Sequence, residues 1–108
     1  MAWVHFLYVG HFEREKGFVK LRDTELVIEK PLDEKIVQRM LAGVGLTLDS
    51  IPKDWYLEIE DGYLVCDRYG SSNECIKFIA SLSTETGCDI FDKGSFRLVL
   101  PEQLLAAI

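Results

Sequence analysis

The chain reads as an α+β domain: a two-layer, mostly antiparallel sheet with two main helices packed on one face and a short C-terminal helix. Three observations carry this expectation. Asp61-Gly62 stands between two alternating runs and marks a tight hairpin. Two segments, 31–45 and 71–87, place apolar residues at helical spacing between a capping signal and a glycine stop. The remaining apolar runs are short and joined by turns, which favours antiparallel or mixed pairing with helices on one side. At 108 residues the chain suits one domain, residues 1–108, with an adequate core.

Residues 3–9 are almost wholly apolar and read as a strand buried on both faces. Glu13 to Gly17 is a polar turn. Residues 18–29 alternate roughly and read as strand, broken or bulged near Arg22-Asp23-Thr24. The first helix opens at Pro31 or is capped by Asp33, with Leu32 placed to staple onto Val37. Ile36, Val37, Met40, Leu41 and Val44 form its apolar stripe, and Gly43 and Gly45 supply the stop. A loop punctuated by Pro52 covers 46–54.

The hairpin turn at Asp61-Gly62 sets the register of 55–60 against 63–68. Glu60 lies opposite Tyr63, Ile59 opposite Leu64, Glu58 opposite Val65 and Leu57 opposite Cys66. Tyr56 then meets Asp67, and Trp55 meets Arg68. Directly opposed residues share a face. One face therefore carries Trp55, Leu57, Ile59, Leu64 and Cys66. The other carries Tyr56, Glu58, Glu60, Tyr63, Val65 and Asp67. After Gly70, Ser71-x-x-Glu74 reads as a capping box for the second helix, with Cys75, Ile76, Ile79, Leu82 and Ser83 on one side and Gly87 at the stop. Residues 88–91 and 96–100 read as strands around Lys93-Gly94, and Pro101 opens a short last helix. Two strands and a helix thus recur three times, but no residue motif repeats, so the recurrence is architectural.

Composition narrows the function. The apolar share of 48% and charged share of 28% are those of an ordinary soluble protein. The apolar start, Met1 to Val9, is too short to span a bilayer and lacks the basic flank of a secretory signal, so a cytoplasmic location is expected. Three cysteines at spacings of 9 and 13, with no C-x-x-C pair, make neither a disulfide framework nor a zinc ribbon. The net charge of -6 is concentrated in 49–74, where seven acids meet only Lys53 and Arg68. Such a segment repels phosphate backbones, so no nucleic-acid partner is expected, and no membrane; a cationic protein would be attracted.

Candidate chemistry is sparse. Cys66 and Cys75 fall on apolar faces and suit inert core thiols; Cys88, just past the helix stop, has no such assignment. A cysteine nucleophile would need His5 or His11, and His5 falls in a buried-looking strand. Gly70-Ser71-Ser72 could present backbone donors to an anion, but a serine cap satisfies those donors. Glu58 and Glu60, about 7 Å apart along one strand, could act as an acid–base pair, yet an open face gives neither a reason to shift its pKa. No catalytic residue, cofactor or metal is expected. What remains is recognition: tyrosines interleaved with acids give rigid contact area plus steering of a basic partner. The candidate partner-binding residues are Tyr56, Glu58, Glu60, Asp61, Tyr63 and Asp67.

The stretch "NECIKFIASLSTETGCDIFD" resembles an element of small bacterial α+β immunity proteins of polymorphic toxin systems. There a hairpin precedes a helix that ends in Thr-Gly and runs into a strand reading "IFD" or "IYD". The resemblance covers residues 55–92. It implies a cytosolic, non-enzymatic inhibitor that blocks a toxin by acidic surface complementarity, and it carries over no binding residues. The alternatives are a small enzyme or ligand-binding domain, and a self-associating structural subunit whose oligomeric state the sequence leaves open.

Overall fold

Strand β1 (Phe6–Phe12) is the spine of the molecule, here a computed structural model that describes residues 5–108. Of the expected strand at 3–9, residues 6–9 fall in β1 and His5 precedes it; Trp3 and Val4 lie outside the described residues. The other sheet strands are β6 (Ile28–Lys30), β7 (Leu57–Ile59), β8 (Leu64–Asp67), β9 (Asp89–Asp92) and β10 (Arg97–Leu98). Their order is β10-β9-β1-β8-β7, with β6 also paired to β1, and every pairing is antiparallel. The short strands β2 (Arg14–Glu15), β3 (Phe18–Val19), β4 (Leu21–Arg22) and β5 (Glu25–Leu26) form a separate arm. Helices α1 (Glu34–Gly43), α2 (Asn73–Thr86) and α3 (Pro101–Ala106) complete the α+β fold. Among the described residues no helix is long and apolar enough to cross a membrane.

Register sorts the two faces. Leu7 stands opposite Cys66 on β8 and Asp92 on β9; Val9 stands opposite Leu64 and Ile90. These residues, with Leu57, are buried beneath Val37 and Leu41 of α1, Ile76, Ile79 and Leu82 of α2 and Leu104 of α3. Fully burying each such side chain stabilises by roughly 1.5–3 kcal/mol. The opposite face carries Phe6, Tyr8, Gly10 and Phe12 on β1, and among the described residues no helix covers it. Phe6 is 39% exposed and Tyr8 half-buried, so β1 is not buried on both faces. Gly10 is where two aromatics close in: a Cβ there would stand 3.0 Å from Tyr63 Cβ and 3.2 Å from the Phe12 ring.

The hairpin has the expected register, with Leu57 opposite Cys66, Glu58 opposite Val65 and Ile59 opposite Leu64. Trp55 lies before the strand, yet it is buried and its ring lies 5.6 Å from that of Phe78. Helix α1 is capped by Asp33, whose carboxylate accepts from Lys35 N at 2.9 Å, and Leu32 and Val37 are both buried. Val44 is 58% exposed and leaves the expected stripe, because the helix has already ended at Gly43. Helix α2 is capped by Ser72, not Ser71: Ser72 Oγ accepts from Cys75 N, while Ser71 Oγ accepts from Tyr56 N at 3.1 Å. Ser71 thereby ties the hairpin to the helix start. Gly87 ends α2 in the left-handed region, φ +72°, its N–H donating to Ser83 O.

Residues 13–27 depart most from expectation. The polar turn expected at Glu13 to Gly17 closes one tiny hairpin, at Lys16-Gly17, and the break expected near Arg22-Asp23-Thr24 is the turn of a second, at Asp23-Thr24, so 18–29 is not one strand. All four turn residues have positive φ, the pairing that suits the right-handed twist of two-residue hairpins. Thr24, β-branched and at φ +67°, gives up roughly 1–2 kcal/mol to sit there. Backbone bonds from Glu13 N to Val27 O, Lys20 N to Glu13 O and Val27 N to Lys20 O knit the two hairpins into one arm, and Arg14 pairs with Asp89 of β9.

Candidate functional site

The uncovered sheet face brings most of the expected partner-binding residues together. Tyr56, Glu58, Glu60, Tyr63 and Asp67 line one shallow trough of about 710 Å³, with Phe6, Tyr8 and Val65 as its floor. The hairpin alternation places them: every second residue of β7 and β8 points away from the helices. Tyr56 is 57% exposed, and Glu58 and Glu60 are exposed. Tyr63 is half-buried, its ring stacked 6.0 Å from Tyr8 and edge-on to Phe12 at 6.5 Å. Burial, then the charge of Glu60, Tyr8 and Glu25, pushes the Tyr63 phenol up, so it stays a neutral hydrogen-bond donor.

Two of the six behave differently. Asp61 is exposed at the hairpin tip and does not line the trough. Asp67 does line it, but its Oδ1 accepts from Tyr69 N at 3.1 Å and Gly70 N at 3.0 Å. Its carboxylate closes the turn into α2, and it offers a partner less charge than Glu58 or Glu60 does.

The cysteines are core residues. Cys66 and Cys75 are fully buried with sulfurs 3.6 Å apart, and Cys88 is buried too. The hydrogen bond with Cys66, together with burial, holds the Cys75 thiol up, and burial does the same for Cys88. Cys88 thus has the structural role the sequence did not supply: it packs in the core, and its carbonyl accepts from Ser83 Oγ at 2.7 Å. The backbone donors at Ser71 and Ser72 are taken by Asp67 O and Asp54 O. Among the described residues no group of three His, Cys, Asp or Glu is placed to hold a metal ion.

One polar cluster escaped the sequence reading. Asp92 points to the helix side of β9 and is completely buried. Its Oδ2 accepts from Arg68 Nη1 at 2.7 Å, and its Oδ1 accepts from Gly94 N and Ser95 N. His5 Nδ1 lies 3.3 Å from Oδ1, and Tyr69 is edge-on to the His5 ring. Burial raises this carboxyl, but Arg68, the Ser95 amide, His5 and the Gly94 amide outweigh it and leave it below the usual range. The cluster anchors the turn after β9 and the end of β8. His5 is part-exposed at its rim, not a core histidine.

No family model, curated protein or solved structure matches the chain.

Proposed function

We propose that the chain is a non-enzymatic protein-binding domain, most concretely a cytoplasmic inhibitor of the immunity kind, which neutralises a basic partner by covering it with the open sheet face. The observation that supports this reading is the grouping of Tyr56, Glu58, Glu60 and Tyr63 along one trough that no helix covers. Tyr56 and Tyr63 supply rigid contact area. Glu58 and Glu60 supply the charge that steers and selects. Asp61 extends the negative rim at the hairpin tip, and Asp67 shapes the end of the trough.

The test is capture of partners from the native host by the wild-type chain and by Glu58→Lys/Glu60→Lys. A basic protein should co-purify with the wild type and be lost from the variant. With that protein in hand, the on-rate should fall as ionic strength rises. Two reversals at the rim exchange attraction for repulsion, and should weaken affinity by roughly 10–100-fold. Unchanged affinity in the double variant would remove the surface assignment.

A further inference from the structure

Between the arm and the sheet lies a second, more enclosed cavity of about 300 Å³. Its walls include the rings of Tyr8, Phe12, Tyr63, Phe91 and Phe96, closed on the arm side by Leu21 and Leu26. Close-packed interiors leave few voids larger than a water molecule, which takes up about 30 Å³ in the liquid. A hollow this size, walled by aromatics, is space that the chain's own side chains leave open. It falls at the small end of ligand pockets. Two residues that resist left-handed backbone, Thr24 at φ +67° and Phe96 at φ +56°, come from separate loops and line the same cavity.

The polar groups around it are unequal. The Lys93 ammonium stands 5.6 Å over the Tyr8 ring, and Tyr8 and Tyr63 each bring a phenol hydroxyl. Among the described residues, no carboxylate pairs with Lys93 and no protein group hydrogen-bonds either hydroxyl. Against these three unused donors stands one carboxylate, Glu25, exposed on the arm. Aromatic walls with free donors among the lining residues suit a ligand with an apolar body and an anionic, acceptor-only head.

We propose that this cavity binds a small monocarboxylic acid with an aromatic or branched aliphatic body. The body lies against Phe12, Phe91 and Phe96, and the carboxylate meets Lys93 and the tyrosine hydroxyls. Glu25 disfavours a second negative charge. The proposal goes beyond the reading of the open face as a protein-binding surface and uses a different charge.

The experiment is an NMR titration of the full chain with phenylacetate, phenethylamine and benzyl alcohol. Phenylacetate should give saturable shifts at the rings of Tyr8, Tyr63, Phe91 and Phe96. It should bind at least about tenfold more tightly than either other probe. Lys93→Met should lose about tenfold of that affinity, and Leu26→Trp, which fills the space, should abolish it. Lys77→Met, on the surface of α2, should leave it unchanged. Glu58→Lys/Glu60→Lys should also still bind, so that failure here and failure of the partner-binding face are read separately. No saturable shift at about 10 mM phenylacetate would overturn the proposal. Equal binding of phenethylamine, or a Lys93→Met variant that binds as the wild type does, would overturn it too.

Discussion

Arg68→Met should destabilise the domain more than any single change on the open face. Asp92 is 0% exposed and, among the described residues, Arg68 is its one full positive charge, at 2.7 Å. Methionine keeps much of the apolar stem but removes that charge. Leaving a buried charge unpaired costs about 3–5 kcal/mol. Here the low end applies, since the Gly94 and Ser95 amides still donate to Oδ1 and His5 is close by. A loss of about 3 kcal/mol, at roughly 4 °C per kcal/mol for a domain of this size, lowers Tm by about 12 °C. The pH dependence gives a second handle. In the wild type the Asp92 carboxyl is held below its ordinary value, so it adds stability above about pH 4, lost as pH falls through its folded pKa. In Arg68→Met the largest contribution opposing burial is gone, so the carboxyl should sit higher than in the wild type. The penalty is then felt as pH rises through the new folded value and is relieved in acid. The gap between variant and wild type should therefore narrow from pH 7 to about pH 4.5. Urea unfolding at both pH values measures it, with the fluorescence of buried Trp55 as a probe. Arg68→Met/Asp92→Asn should recover about half of the loss, because the buried charge is gone. A loss below about 1 kcal/mol at pH 7, or a gap that does not narrow in acid, would refute the reasoning.

Ser72→Ala should cost about 1 kcal/mol and speed hydrogen exchange in the first turn of α2; Ser71→Ala should instead speed exchange at the Tyr56 amide, which Ser71 Oγ holds at 3.1 Å. Gly87→Ala, at φ +72°, should cost roughly 1–2 kcal/mol in urea unfolding, with no change in partner or phenylacetate binding. Cys66, Cys75 and Cys88, all buried, should resist an aromatic disulfide reagent at about pH 8 and react only as urea unfolds the chain; fast reaction of any one in the native state contradicts its core role. Glu58→Lys/Glu60→Lys should leave urea stability within about 0.5 kcal/mol, as expected for exposed side chains away from special features.

The parts legible in the sequence are those set by local rules. The Asp61-Gly62 turn fixes which residues oppose each other, so the register of β7 against β8 and both its faces follow from counting. The stop at Gly87 follows from backbone chemistry, which also offers Asp33 beside Pro31 as a start for α1. The illegible parts are non-local. Nothing in residues 6–12 says that β1 will pair with β8 on one side and β9 on the other. In the arm both turns are legible but the pairing is not, because its ladders are only two residue pairs long, too short for any period to show. Ser71 and Ser72 are equally good caps locally, and the Tyr56 amide, fifteen residues earlier in the chain, decides between them. Asp92 did carry a signal: it shares parity with Ile90, so a strand that buries Ile90 must carry Asp92 to the same side. The matching cation, Arg68, lies 24 residues away and cannot be paired with it by local pattern.

The two faces of the sheet differ in how they treat aromatic surface, and the difference bears on function. On the helix side Trp55 and Phe78 are both buried in the core. On the other side Phe6, Tyr56 and Phe96 stay between 39% and 59% exposed around a partly filled layer. The arm covers only the end of the face nearest Phe12 and Phe91, which are buried, and leaves the hairpin end bare. A further helix over this face would have removed that apolar surface from water at about 25 cal/mol per Å². Contiguous exposed apolar surface rimmed by acids is what soluble proteins keep for contact with something else. The Asp92–Arg68 cluster fits that division. It fixes the turn bearing Lys93 and Phe96 from the helix side, so the open face gains a rigid support without surrendering any of its own side chains.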